Sequence, residues 1–150
     1  MKKFAFSLQK VLEIKEQILE NLKIELGSLN NELITVETTI KNLKWQLSNI
    51  ENEFNEKCSI AISAGEMAYY KMLMSSTVKQ IEKKEEDKQI LLIKIDAKRQ
   101  EIVNMNKEIS SLEKLRENEL EKYNKAVTRN EEIFIEEFVS NKSMVKGIAI

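Results

Sequence analysis

The side chains that most often carry catalysis are scarce in this sequence. It contains no histidine, which excludes a Ser-His or Cys-His proton relay. Cys58 is the only cysteine, so an internal disulfide and a multi-cysteine zinc site are both excluded. The sequence has no glycine-rich phosphate loop, and its many carboxylates lie on predicted helix faces that form no pocket. We therefore expect no enzyme activity and no catalytic, cofactor or metal site.

The composition is that of long helices. Charged residues make up 33% of the chain, aromatic residues 6%, and there are three glycines and no proline. The net charge of −1 does not favour nucleic acid or an anionic membrane surface. The longest apolar runs, 60–62 and 90–93, are far too short to span a bilayer, and the start lacks a signal-peptide run. We expect a cytoplasmic protein without direct membrane insertion.

One stretch carries an unbroken heptad repeat. Between Leu19 and Phe54 an apolar residue recurs at alternating steps of three and four, and this 3.5-residue period predicts a left-handed coiled coil. The seam residues of this first helix are Leu19, Leu22, Leu26, Leu29, Leu33, Val36, Ile40, Leu43, Leu47, Ile50 and Phe54.

A second long helix follows a single predicted turn. Ser63 and Glu66 have the spacing of a capping box, which starts a new helix. The fold class predicted is all-α: a long antiparallel two-helix coiled-coil hairpin with an overhanging C-terminal helix end. The chain is one domain, 1–150, with a helix at about 4–60, a turn at about 60–65, a helix at about 64–139 and a frayed tail at 140–150.

The register of the hairpin follows from matching apolar layers. One choice places Phe54 opposite Met74 and also places Lys15, the charged exception in the first seam, opposite Glu113. The second helix is poorer in apolar residues, and 82–89 has none, so we expect its long side-chain stems to cover the first seam. The predicted seam of the second helix includes Met74, Val78, Ile81, Leu92, Ile95, Ile102, Ile109 and Leu120.

Apolar residues that the hairpin does not need collect at its two ends. Methionine and tyrosine are frequent at interfaces, so the tip residues could bind a partner, or they could merely close the hairpin. At the other end, apolar residues of the second helix continue beyond the first helix, which usually marks an interaction site. The tip residues are Met67, Tyr69, Tyr70, Met72, Leu73 and Met74; the end residues are Val127, Ile133, Phe134, Ile135, Phe138 and Val139.

Two stretches resemble FliJ-type flagellar export proteins. The run from Phe4 to Glu16 is similar to their opening, Phe-x-Phe-x-Leu-Gln-x-Val-Leu-x-x-Lys-Glu, and Ser63-Ala64-Gly65 followed by Tyr70 and Leu73 is similar to their tip. The resemblance implies an antiparallel hairpin like the central stalk of rotary ATPases. It also implies a role in bacterial flagellum biogenesis and motility. There the protein joins the hexameric export ATPase of type III secretion to the membrane export gate, and assists export chaperones.

The resemblance also implies where the partners bind. The protein would associate peripherally with the inner face of the cell membrane at the flagellar base. The gate-binding positions would be near the tip, at Leu47, Ile50, Phe54, Tyr70 and Leu73. A rotary stalk inserts its terminal end into its ring, which would place the ATPase-binding residues at Phe4, Phe6, Leu8, Val127, Phe134 and Phe138.

Two other functions remain open from the residues themselves. A structural tether would form a homodimer through the same seam, whereas the hairpin predicts a monomer of 17.5 kDa. A hairpin that probes an enzyme's channel would carry acidic residues at its tip, and only Glu66 is acidic there, which argues against that class.

Overall fold

The computed structural model describes residues 2–148, with the side chains of 2–147. Two helices, α1 (Gln9–Ile60) and α2 (Ala64–Ile148), make up almost all of this part and pack against each other. The part of the chain that the structure describes contains no strand. The predicted all-α helical hairpin is confirmed.

The helix ends differ from the predicted ones. The first helix begins at Gln9 rather than near residue 4, because a turn closed by the Gln9 amide and the Phe6 carbonyl (3.1 Å) precedes it. The second helix runs through 140–148, where a frayed tail is predicted. The last two residues of that predicted tail, 149 and 150, lie outside the described residues.

The connection between the helices is a tight turn at residues 61–63. The Ser63 side chain accepts a hydrogen bond from the Glu66 amide at 3.1 Å, and the Ser63 carbonyl accepts one from the Met67 amide at 3.0 Å. The Ser63 hydroxyl therefore caps α2 as predicted, because it satisfies an amide that the first turn of a helix leaves free.

The chain divides into two compact units. The tip unit is Glu20–Val103, and the terminal unit combines the N-terminal residues up to Leu19 with the C-terminal residues from Asn104.

The register in the tip unit differs from the predicted one by four residues. Phe54 packs against the ring of Tyr70, with centroids 5.8 Å apart, and not opposite Met74. The ion pair between Lys98 and Glu25, 2.6 Å apart, agrees with the same register. The reason lies in the turn, which is centred on Ile62, whereas the prediction placed its axis at Ala64.

The seam of α1 is as predicted, with each of its a and d positions in the tip unit partly or fully buried. On α2, the predicted seam positions Met74, Ile81, Ile95 and Ile102 are correct. The predicted positions between them, Val78 and Leu92, are each displaced by one residue, to Thr77 and Leu91. Thr77 (8% exposed) and Leu91 (7%) are buried, while Val78 is 39% exposed. The observed α2 seam of the tip unit is Tyr70, Met74, Thr77, Ile81, Lys84, Lys88, Leu91, Ile95, Lys98 and Ile102.

The terminal unit has its own small core. Leu12 and Ile109 are buried at 5% and 7% exposure. Lys15 pairs with Glu108 at 2.7 Å, so its predicted partner, Glu113, is wrong.

Candidate functional site: partner-binding surfaces

The hairpin tip is closed by an aromatic cluster. Tyr70 is 5% exposed and lies between the rings of Phe54 and Tyr69, with centroids 5.8 and 5.7 Å away. The Lys57 ammonium lies 5.1 Å from the Tyr70 ring centroid, and the pKa of Lys57 is raised, first by its hydrogen bond to Tyr70. Such ring pairs and cation–π contacts favour a single arrangement of the tip.

The five residues that the family resemblance implied for the export gate lie within this closed seam. Tyr70 is buried, and Leu47, Ile50, Phe54 and Leu73 are partly buried. The exposed apolar side chains of the tip are different residues. Ile60 is 88% exposed, Met72 62%, Tyr69 54% and Met67 36%.

In the terminal unit, the N-terminal segment packs on α2 before α1 begins. The Phe4 and Tyr123 rings lie 5.6 Å apart, and the Tyr123 hydroxyl donates to the Lys2 carbonyl. Phe6 is buried at 7% exposure, while Leu8 and Val127 are partly buried. Four of the six residues predicted to bind the ATPase therefore belong to the core of this unit.

The other two predicted residues, Phe134 and Phe138, lie on a solitary stretch of α2. Every residue from 128 to 147 is exposed, and we call this stretch the overhang. Phe134 is 70% and Phe138 60% exposed, and a shallow cavity of about 440 Å³ lies beside Phe134 and Ile135. The other large exposed apolar residues of the overhang are Ile133, Val139, Met144 and Val145.

The apolar residues of the overhang form a stripe. Phe134, Phe138 and Val145 are spaced by four and seven residues, which aligns them along one side of a helix. Ile135 and Val139 repeat the spacing of four beside them. The Lys142 ammonium lies 5.9 Å from the Phe138 ring centroid and covers part of it. An apolar stripe on an otherwise charged, unpartnered helix is suited to docking on another protein.

The described residues offer no arrangement suited to metal chemistry. They contain no group of three or more histidine, cysteine, aspartate or glutamate side chains placed to hold a metal ion.

Residues 4–147 match the family model of the flagellar FliJ protein. The chain belongs to the FliJ family. The search of curated proteins and the search of solved structures each found no match. The matched range includes the tip, the N-terminal segment and the overhang, so both candidate surfaces of this FliJ-family chain lie within the family domain.

The family match makes this a flagellar, export-related protein. Within residues 2–148, neither helix has a stretch long and apolar enough to cross a membrane.

The sequence patterns locate exposed apolar residues at both ends of the hairpin, but they do not identify every exposed residue there. Met144 and Val145 were missed, because the tail was predicted to fray, although their apolar character was a visible signal. Tyr70 is predicted among the tip residues that the hairpin does not need, whereas the structure buries it in the seam. Its place in the seam depends on the turn position, which the periodicity of α2 does not determine.

Proposed function

We propose that this chain is a soluble stalk or adaptor of the flagellar type III export apparatus. In this proposal it couples the hexameric export ATPase to the membrane export gate, assists export chaperones, and hydrolyses nothing itself. It would act in the cytoplasm, peripherally associated with the membrane at the flagellar base. The family match supports the pathway, and the exposed overhang is the observation that carries the coupling role.

The overhang is the proposed ATPase-docking element. Its side chains are all exposed, so the stripe containing Phe134 and Phe138 is hydrated until a partner covers it. Burying an aromatic side chain contributes roughly 1.5–3 kcal/mol, enough for two phenylalanines to dominate a small interface. The surrounding residues Glu131, Glu132, Glu136 and Glu137 favour a docking cavity with a basic rim.

The tip is the proposed gate-binding surface. Because Phe54 and Tyr70 are engaged within the seam, we propose that they position the contacts while Tyr69 and Met72 make them. Tyr69 and Met72 are three residues apart, so they lie on one face of α2.

The alternative of a tether that dimerises through the seam is disfavoured. The α1 seam residues from Leu22 to Phe54 already lie against α2 and are at least partly buried. A dimer through the same residues would have to open the hairpin first.

The decisive experiment compares two double variants in an ATPase assay with the cognate export ATPase. Phe134→Asp with Phe138→Asp should abolish stimulation, because two charges replace the apolar contacts. The matched control is Ile90→Asp with Ile93→Asp, which alters two residues of the same helix that are 52% and 70% exposed. The control should stimulate normally, and both variants should keep their helicity. Normal stimulation by the Phe134/Phe138 variant would show that the overhang is not the docking site.

A further inference from the structure

The outward side of α1 in the tip unit carries a second heptad-spaced series, which we call the outer stripe. Its residues follow one another at steps of three and four on the face away from the seam. Only one of the nine is charged, although a third of the residues in the chain are charged. This face therefore carries unusually little charge for a helix face that is open to solvent. The outer stripe is Ile24, Gly27, Asn31, Ile34, Thr38, Lys41, Trp45, Ser48 and Asn52.

The large apolar side chains of the outer stripe are open to solvent. Ile24 is 70% exposed, Ile34 60% and Trp45 68%. The Thr38 hydroxyl donates to the Ile34 carbonyl at 2.8 Å, so covering this threonine leaves no hydroxyl donor unsatisfied. The corresponding face of α2 carries more charge, because Lys79, Glu82 and Glu86 lie among its outward positions. Met72 and Ile93 are exposed on that face as well.

The stripe contains one bulky residue and one residue without a side chain, which a twofold axis can bring together. Around Gly27, the position where a Cβ would lie has no heavy atom within 4 Å, which leaves a gap in the surface. Trp45, the bulkiest residue of the stripe, lies nine residues beyond Val36, and Gly27 lies nine residues before it. If two α1 helices lie antiparallel with a twofold axis at Val36, each Trp45 therefore faces the gap at Gly27 in the other.

We propose that a second copy of this chain covers the outer stripe, forming an antiparallel homodimer in which Trp45 packs over the partner's Gly27. This inference goes beyond the proposed function and uses neither the tip cluster nor the overhang. The seam by itself predicts a monomer, and the outer stripe is a surface separate from the seam.

The remaining layers of this twofold arrangement place no like charges opposite each other. The same axis places Ile24 opposite the partner's Ser48 and Ile34 opposite the partner's Thr38. It places Lys41 opposite the partner's Asn31, whose amide oxygen can accept from the ammonium. The two Lys41 residues would be roughly 15 Å apart at 1.5 Å per residue, beyond the screening length of about 8 Å at physiological salt. A symmetric interface needs a surface that does not repel itself, and this nearly uncharged face meets that requirement.

The small size of the contact favours weak association. Two helical faces of this length bury on the order of 1,000 Å² in total, which is typical of weak or transient association. We therefore expect a monomer–dimer equilibrium with a dissociation constant in the micromolar range rather than a permanent dimer.

The test uses the full chain, whose only tryptophan is Trp45. Sedimentation equilibrium from about 1 to 200 µM, a range chosen to bracket weak association, should show the mass rise from 17.5 kDa toward twice that value. Tryptophan emission should shift to shorter wavelength over the same concentrations, because dimerisation removes the indole from water.

Gly27→Gln fills the gap and should keep the chain monomeric with unshifted emission, while Gly147→Gln is the matched control and should dimerise normally. Since glycine is a poor helix former, the Gly27 variant should lose no helicity, which separates lost association from misfolding. A monomer at every concentration would overturn the proposal and leave the stripe to another protein. A dimer without the emission shift, or one that Gly27→Gln does not weaken, would also overturn it.

Discussion

Two neighbouring stretches of α2 face the same α1 seam and cover it by different means. Leu91 and Ile95 present apolar side chains that are themselves buried, at 7% and 2% exposure. In the stretch 82–89, Lys84 and Lys88 occupy the seam positions and stay partly exposed. Ile40 of α1, at the level of Lys84, is nevertheless only 6% exposed. The aliphatic stems of charged residues can thus cover an apolar side chain while their charged ends remain in water.

The charged ends in 82–89 make only loose ion pairs. Lys88 lies 3.7 Å from Glu37, Lys44 3.6 Å from Glu85, and Lys84 3.9 Å from Asp87. Exposed pairs of this kind contribute about 0–1 kcal/mol each, less than a buried aliphatic layer. We therefore expect the tip unit to be most stable around Leu91 and Ile95 and to open locally most easily at 82–89.

The largest effect is expected at Ile95. Ile95→Ala should lower the free energy of unfolding by about 2–5 kcal/mol, because it removes the most buried side chain of the tip unit and leaves a cavity. The control, Ile93→Ala, alters a residue that is 70% exposed and should change stability by about 0.5 kcal/mol or less. Equal losses in denaturant titrations would contradict the assignment of the seam.

Replacing the two seam lysines should have a smaller effect of opposite sign. Lys84→Leu with Lys88→Leu should stabilise the chain by roughly 1–3 kcal/mol, because leucine buries more apolar area at these positions than a lysine stem. The control pair, Lys79→Leu with Lys83→Leu, has the same spacing on exposed positions and should change the stability of the chain little. If both pairs stabilise equally in thermal unfolding, 84 and 88 are not seam positions.

Local opening should follow the same contrast. Backbone amides of 82–89 should exchange with solvent faster than those of 91–102, because fewer apolar contacts hold that stretch closed. Hydrogen exchange detected by mass spectrometry measures both stretches in one experiment. Equal protection would mean that lysine stems lying over the α1 seam stabilise the helix pair as well as buried apolar side chains do.

The smallest effect concerns Lys98, whose pKa is raised mainly by its hydrogen bond to Glu25, with burial opposing the shift. The pairing stabilises the fold fully below the ordinary lysine pKa of 10.5 and is lost as pH rises through the raised value. Glu25→Gln should bring the pKa of Lys98 back toward 10.5 in an NMR titration. Glu20→Gln, whose carboxylate pairs with Lys23, is the control and should leave it unchanged.

The heptad pattern predicts α1 well and α2 only in part, and the reason is physical. In α1, every seam position from Leu19 to Phe54 holds an apolar residue, so the pattern determines which face lies against α2. In α2, Leu91 and Leu92 are adjacent and the neighbouring seam positions hold lysines. The periodicity therefore cannot decide which of the two leucines belongs to the seam. The choice is made by the turn at 61–63, whose length also sets the register.

The sequence alone also does not distinguish an apolar residue on an exposed surface from one in a small core. A residue such as Phe134 is visible from sequence as apolar and unpaired, and its exposure follows once the helix outlasts its partner. Phe6 has the same character but lies in a core, because the N-terminal segment turns before α1 and packs on α2. That turn has no strong sequence signal.

Hydrogen exchange of the full chain, with and without the cognate ATPase, shows whether the overhang docks to the export ATPase. Binding should slow exchange in 128–147, where every side chain is exposed in the free chain, and should leave exchange in 82–100 unchanged. Unchanged exchange in 128–147, with protection appearing elsewhere on the bound chain, would contradict it.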